Sequence, residues 1–145
     1  MRMRARERGT ALLEAALTIP VLLLISVGIF EFGRAYQTWQ ILTNAAREGA
    51  RMAVIPNSDA GAVEARVRQY MEDGQLGAAA GATVSVNKSA TIVVNGQNQG
   101  ASQITVSYPF EFIVLQPVAR LVSANSNTGQ ALTMTAAALM RNEAQ

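Results

Sequence analysis

A long apolar run, ALLEAALTIPVLLLISVGIFEF from Ala11 to Phe32, dominates this chain and narrows what it can become. As a helix it would measure roughly 33 Å, against a bilayer core of about 30 Å. Before Glu31 only Glu14, Thr18, Pro20 and Ser26 interrupt it. A removed secretory signal also has a basic start and an apolar core, but that core is usually about 7–15 residues long and ends in a small-x-small cleavage site. Here the run is longer and ends in bulky Ile29, Phe30 and Phe32, so it reads as a retained membrane-spanning helix over residues 10–33. Pro20 is expected to kink that helix, because proline removes one backbone hydrogen bond and crowds the preceding turn.

Charge sets the orientation. Arg2, Arg4, Arg6 and Arg8 precede the run with only Glu7 among them. Basic residues beside a span stay cytoplasmic, so the N-terminus is expected in the cytoplasm and everything beyond Phe32 outside. Past Gly9 eight basic and nine acidic residues remain, so the outer part is near neutral. It lacks the basic face interleaved with aromatics that nucleic-acid binding requires, and nucleic acid is excluded as a partner. There is no His and no Cys, which removes the commonest general base, the commonest metal ligand and any thiol chemistry. The carboxylates Asp59, Glu64, Glu72, Asp73 and Glu111 are scattered, and no phosphate-cradling glycine loop or nucleophile elbow occurs. An enzyme and a cofactor site are therefore not expected.

At 145 residues the chain has room for one span and one small domain. No proline occurs from Arg34 to Ile55, and Ile41, Leu42, Ala45, Ala46, Gly49, Met52 and Ala53 share one helical face. Asn44, Arg47, Glu48 and Arg51 fall opposite, so the spanning helix should continue outward as an amphipathic helix and stop at Pro56. Ser58 or Asp59 can cap a second helix with Val63, Val67 and Tyr70 on one face and Gly74 as its stop. Alternation then replaces helical spacing: Val84 and Val86, Ile92 and Val94, and Ile104, Val106 and Tyr108 read as half-buried strands. Asn95 to Ser102 reads as a polar loop between antiparallel strands, and Asn125 to Asn127 as a further loop. Pro109 and Pro117 bracket a connection that cannot be a central strand throughout, and Leu132 to Met140 reads as a closing strand, although Ala137 and Leu139 would also allow a helix. Three or four such strands need a cover, and the amphipathic half of the first helix is the available one. Glu31 with Arg34, and Glu48 with Arg51, read as surface or interfacial pairs, and Tyr36 with Trp39 as an aromatic belt at the membrane surface.

Gly9 closes the basic leader, and Glu14 is the fifth residue after it. This resembles the processing site of type IV pilins and pseudopilins, in which a prepilin peptidase cuts after a glycine and the mature chain carries an acidic residue at its fifth position. The wider stretch from Arg8 to Val54, RGTALLEAALTIPVLLLISVGIFEFGRAYQTWQILTNAAREGARMAV, resembles the TadE-like family of minor pseudopilins of the tight-adherence (Tad) pilus system. The resemblance rests on Gly9, Glu14, Pro20 and the AAREGAR segment together; the tail LTMTAAALMRNE is similar to the family's closing strand. Ala15 follows the acidic residue where Tad pilins often carry an aromatic.

The resemblance implies a leader peptide over 1–9, cleavage between Gly9 and Thr10, and Glu14 as an assembly residue. It implies a place in the bacterial inner membrane as a single-pass protein that helps assemble or prime a pilus made mostly of another pilin. Its partners would be inner-membrane lipid, prepilin peptidase, other pilins or pseudopilins, and the platform proteins of pilus assembly. The fold expected is α+β and pilin-like: one long N-terminal helix, membrane-spanning then amphipathic, packed on a small antiparallel sheet within an extracytoplasmic domain over 34–145. The rival reading from the residues alone is a membrane-anchored binding or sensor domain unrelated to pili, which would keep residues 1–9.

Overall fold

Helical spacing persists through the apolar run and past it, and in the computed structural model the two stretches form one helix, α1 (Met3–Ala53). The structure describes residues 3–77, 79–123, 125 and 127–142. Arg2 of the leader, Ser126 of the loop expected at 125–127 and Glu143 of the tail lie outside them. After α1 come α2 (Ala60–Asp73), a single 3-10 turn (Ala79–Gly81), β1 (Thr83–Val94), β2 (Gln97–Phe110), α3 (Leu115–Val122) and β3 (Leu132–Arg141). The architecture is the expected α+β arrangement of a long N-terminal helix packed on a small antiparallel sheet. The chain divides into two compact units, Met1–Arg34 with Phe112–Gly129, and Ala35–Glu111 with Gln130–Gln145.

The second unit holds the sheet, in the order β1-β2-β3 with both pairings antiparallel. Ile104, Val106, Tyr108 and Phe110 of β2 point to the covered face, with Ala136 of β3 beside them. Against that face lie α2, through Val63, Val67 and Met71, and the outer half of α1, through Leu42, Ala45, Ala46, Gly49, Ala50 and Ala53. The α1 face is small by necessity: a Cβ on Gly49 would run into the Val67 side chain and lie 3.3 Å from Ile104 Cγ2. Small residues thus bring the helix backbone down onto its neighbours, where dispersion contacts are densest.

Capping sets the limits of α2. Asp59 accepts the backbone N–H of Ala62 at 2.9 Å, as an N-cap should. At the other end Gly74 has an ordinary φ of −76°, and the left-handed residue is Gln75 at 63°. Gly74 is small for packing, since a Cβ there would sit 2.8 Å from Ile41 Cγ2. Met71, not Tyr70, completes the buried face with Val63 and Val67.

The polar loop expected from Asn95 to Ser102 contracts to two residues. Asn95 and Gly96 take φ of 53° and 78°, both left-handed, and the ladder closes at once with Val94 opposite Gln97. Such a two-residue turn matches the right-handed twist of the strands, so Gln97–Ser102 join β2 despite their polarity. The two strands expected around Val84 and Ile92 are accordingly one, interrupted by a bulge between Asn87 and Ala90. There the register shifts by one residue, and Lys88 Nζ donates to the Ser58 carbonyl at 2.6 Å and lies 2.8 Å from its hydroxyl. Pro109 is tolerated in β2 because β1 begins opposite Ser107; beyond it β2 has only β3 alongside.

Candidate functional site

The first unit carries Gly9, Thr10, Glu14 and Pro20. Between Leu12 and Phe32 twelve large apolar side chains are each more than half exposed. An 18-residue window of this helix has a mean hydropathy of 2.3 and 0% of it is buried. Full burial of one such side chain is worth about 1.5–3 kcal/mol, so twelve left in water would cost more than a small domain gains by folding. A helix that is apolar all round and uncovered is suited to lipid or to a bundle of like helices, and not to the core of a soluble domain. This fits a single-pass, membrane-anchored protein.

Gly9, Thr10 and Glu14 lie on α1 at the start of that span, all three exposed, with Glu14 one turn beyond Thr10. Nothing lies within 4 Å of where a Gly9 side chain would begin. Pro20 stands inside α1, which continues through it. Ser26 returns its hydroxyl to the Leu22 carbonyl at 2.8 Å, which satisfies a polar side chain within the apolar stretch.

The structure also reveals a residue whose role the sequence concealed. The spacing of Glu31 and Arg34 suggests a surface or interfacial pair, yet the Glu31 side chain is only 2% exposed. Its Oε1 accepts the backbone N–H groups of Val114 and Leu115, the latter at 3.2 Å, and its Oε2 accepts from Arg34 Nη1 at 2.9 Å. Val114 is the N-cap of α3 and supplies no side-chain acceptor. Glu31 therefore caps α3 from 83 residues away, meeting orphan N–H donors with a negative charge at the positive end of the helix. Gly129, with φ of 76°, closes over the same turn; a Cβ there would sit 2.7 Å from the Gln116 nitrogen. Sequence distance hid the cap. A local signal for α3 was present in Pro117, which stands in the first turn, where its missing N–H costs nothing.

In the second unit Tyr36 and Trp39 are exposed, their ring centroids 6.2 Å apart, and Gln40 Nε2 donates to the Tyr36 hydroxyl at 2.7 Å. Glu48 meets Arg51 at 3.7 Å, as its spacing suggested, and also Arg66 of α2 at 3.2 Å. An open groove of about 620 Å³ runs past Gln37, Gln40, Asn44, Arg66, Tyr70 and Asp73. Its lining is amides, a guanidinium, a phenol, one carboxylate and the apolar Ile41. Among the described residues there is no group of three or more acidic side chains placed to hold a metal ion.

Residues 9–51 match the family model described as TadE-like protein. That stretch takes in the exposed apolar run and most of the small-residue face of α1. No curated protein and no solved structure matches the chain.

Proposed function

We propose that this chain is a minor pseudopilin of the TadE-like kind, a structural and interaction subunit that helps assemble or prime a Tad or related type IV-like pilus. One observation carries the reading: the TadE-like match over residues 9–51 coincides with a helix that is apolar, exposed and long enough to cross a bilayer. In this reading the arginine leader holds the N-terminus in the cytoplasm, residues 10–33 cross the inner membrane, and 34–145 form a pilin-like domain outside. Prepilin peptidase removes residues 1–9 by cutting between Gly9 and Thr10.

Glu14 then has a purpose. An ionisable side chain on an apolar span costs up to about 2.5–3.5 kcal/mol at the bilayer centre on insertion scales, and less toward the edge. Cleavage creates a cationic amino group on Thr10, one turn away on the same helix. In a bundle of such helices Glu14 of one subunit meets the amino group of its neighbour, and the pairing fixes their axial register, a use of buried polar groups known from coiled coils. Pro20 supplies a bend or a free carbonyl where the helices pack.

N-terminal sequencing of the membrane-bound protein tests the processing step. A start at Thr10 is expected; Met1 would point to an uncleaved anchor, and a start beyond Phe32 to a secreted form. Glu14→Ala should leave insertion and cleavage intact but abolish co-purification with partner pilins and pilus formation, with Glu14→Gln as the charge control. Normal piliation in both variants at wild-type protein levels would overturn the assembly role.

A further inference from the structure

Accepting the membrane-spanning part of the proposed function, we infer that α3 is an interfacial helix, lying in the headgroup layer at the end of the span with Ile113 and Val118 set into the acyl boundary. The first step is depth. Residues 11–32 form a helical rod about as long as a bilayer core is thick, so Glu31, one residue before the end of that run, falls at the membrane boundary. Glu31 holds the first turn of α3 by two backbone hydrogen bonds, which fixes that turn at the same level.

The second step is surface. Ile113 is 58% exposed and Val118 42%, while on α1 Phe30 and Phe32, flanking Glu31, are 52% and 74% exposed. These residues lie in one compact unit with the apolar helix, and Glu31, between Phe30 and Phe32, bonds Val114 and Leu115, which tie Ile113 and the start of α3 to the end of a surface that lipid must cover. That link to the end of the apolar run selects the bilayer as the occupant. Arg120, in the last turn of α3, is exposed and basic, suited to lipid phosphates above the acyl layer.

The third step explains why the carboxylate is there. Eight residues are too few to hold a helix alone in water, and two or three apolar side chains bind a membrane only weakly. Tethered at its N-terminus to the spanning helix, α3 needs neither ability in full. The carboxylate in turn is satisfied by protein donors and needs no partner from the headgroup layer. A second point of membrane contact, 80 residues downstream of the span, would set how far α1 sinks into the bilayer.

The chain contains no cysteine, so single cysteines can report each site. Full-length Ile113→Cys, Val118→Cys, Leu22→Cys and Ser85→Cys proteins, labelled with an environment-sensitive fluorophore, are reconstituted in vesicles of phosphatidylcholine and phosphatidylglycerol. Quenching is read from nitroxides placed at shallow or deep positions of the acyl chain, and from an aqueous quencher. Labels at 113 and 118 should be quenched several-fold more by the shallow lipid nitroxide than the label at Ser85, an exposed sheet position; the Leu22 label should respond to the deep one. If Leu22 responds to lipid while 113 and 118 respond only to the aqueous quencher, the interfacial assignment is wrong and the span stands. If 113 and 118 respond to neither, a protein surface covers α3 and the assignment is again wrong. A Leu22 label insensitive to lipid nitroxides would overturn the span itself, and this assignment with it.

Discussion

Replacing Glu31 with alanine removes, in one step, the acceptor for Val114 and Leu115 N–H and the partner of Arg34. A net hydrogen bond to a charged group is worth about 1.5–3 kcal/mol. The two backbone bonds share Oε1, so they do not add in full. Arg34 is 30% exposed and can turn to water, which holds its share near the 0–1 kcal/mol usual for a screened pair, by rough estimate. The expected loss is about 3 kcal/mol, and because Val114 offers no cap of its own, it falls on the docking of α3. Since each 1.36 kcal/mol is tenfold, about 3 kcal/mol corresponds to amide exchange over the first turn of α3 quickening roughly a hundredfold. Hydrogen exchange followed by mass spectrometry on the full chain in vesicles reads this directly, with peptides from β2 as the internal reference. Glu31→Gln keeps an acceptor oxygen without the charge and should fall between, because charge-assisted bonds are about twice as strong as neutral ones. If Glu31→Ala leaves exchange at Val114–Val118 unchanged, the cap is not what holds α3.

Three further changes probe the second unit, each read as a shift in thermal or denaturant midpoint. Gly49→Leu should destabilise by about 1–3 kcal/mol or more, because its first carbon already meets Val67 and nearly meets Ile104; a neutral result would show that α1 does not lie on that face. Asp59→Ala should cost about 1 kcal/mol through the lost N-cap on Ala62, and Asp59→Ser should restore most of it. Gly96→Val should cost about 1–2 kcal/mol, since φ of 78° is strained for a β-branched residue; a stable variant would mean the hairpin can adopt another turn.

Much of this protein is written locally. The apolarity from Ala11 to Phe32, broken only by Glu14, Thr18, Pro20, Ser26 and Glu31, gives a helix long and apolar enough to cross a bilayer, because length and hydropathy are properties of the run itself. The small-residue face from Leu42 to Ala53, the Asp59 cap and the alternation in Ile104–Tyr108 are equally local, each a periodicity or a contact within one turn. The hairpin was local too, but Asn95-Gly96 weighs more than the polar residues after it: a turn with two left-handed residues determines the register, and Gln97–Ser102 follow it into the strand. What no window of sequence contains is any pairing across long separations. Gly74 is small because Ile41 approaches it, which only the packing of α1 on α2 dictates. Glu31 beside Arg34 has the pattern of an ordinary surface or interfacial pair, and becomes a buried cap only when Val114 and Leu115, far along the chain, return to it. A carboxylate's role is set by the donors that reach it, and here the donors are backbone N–H groups whose position depends on the whole intervening fold.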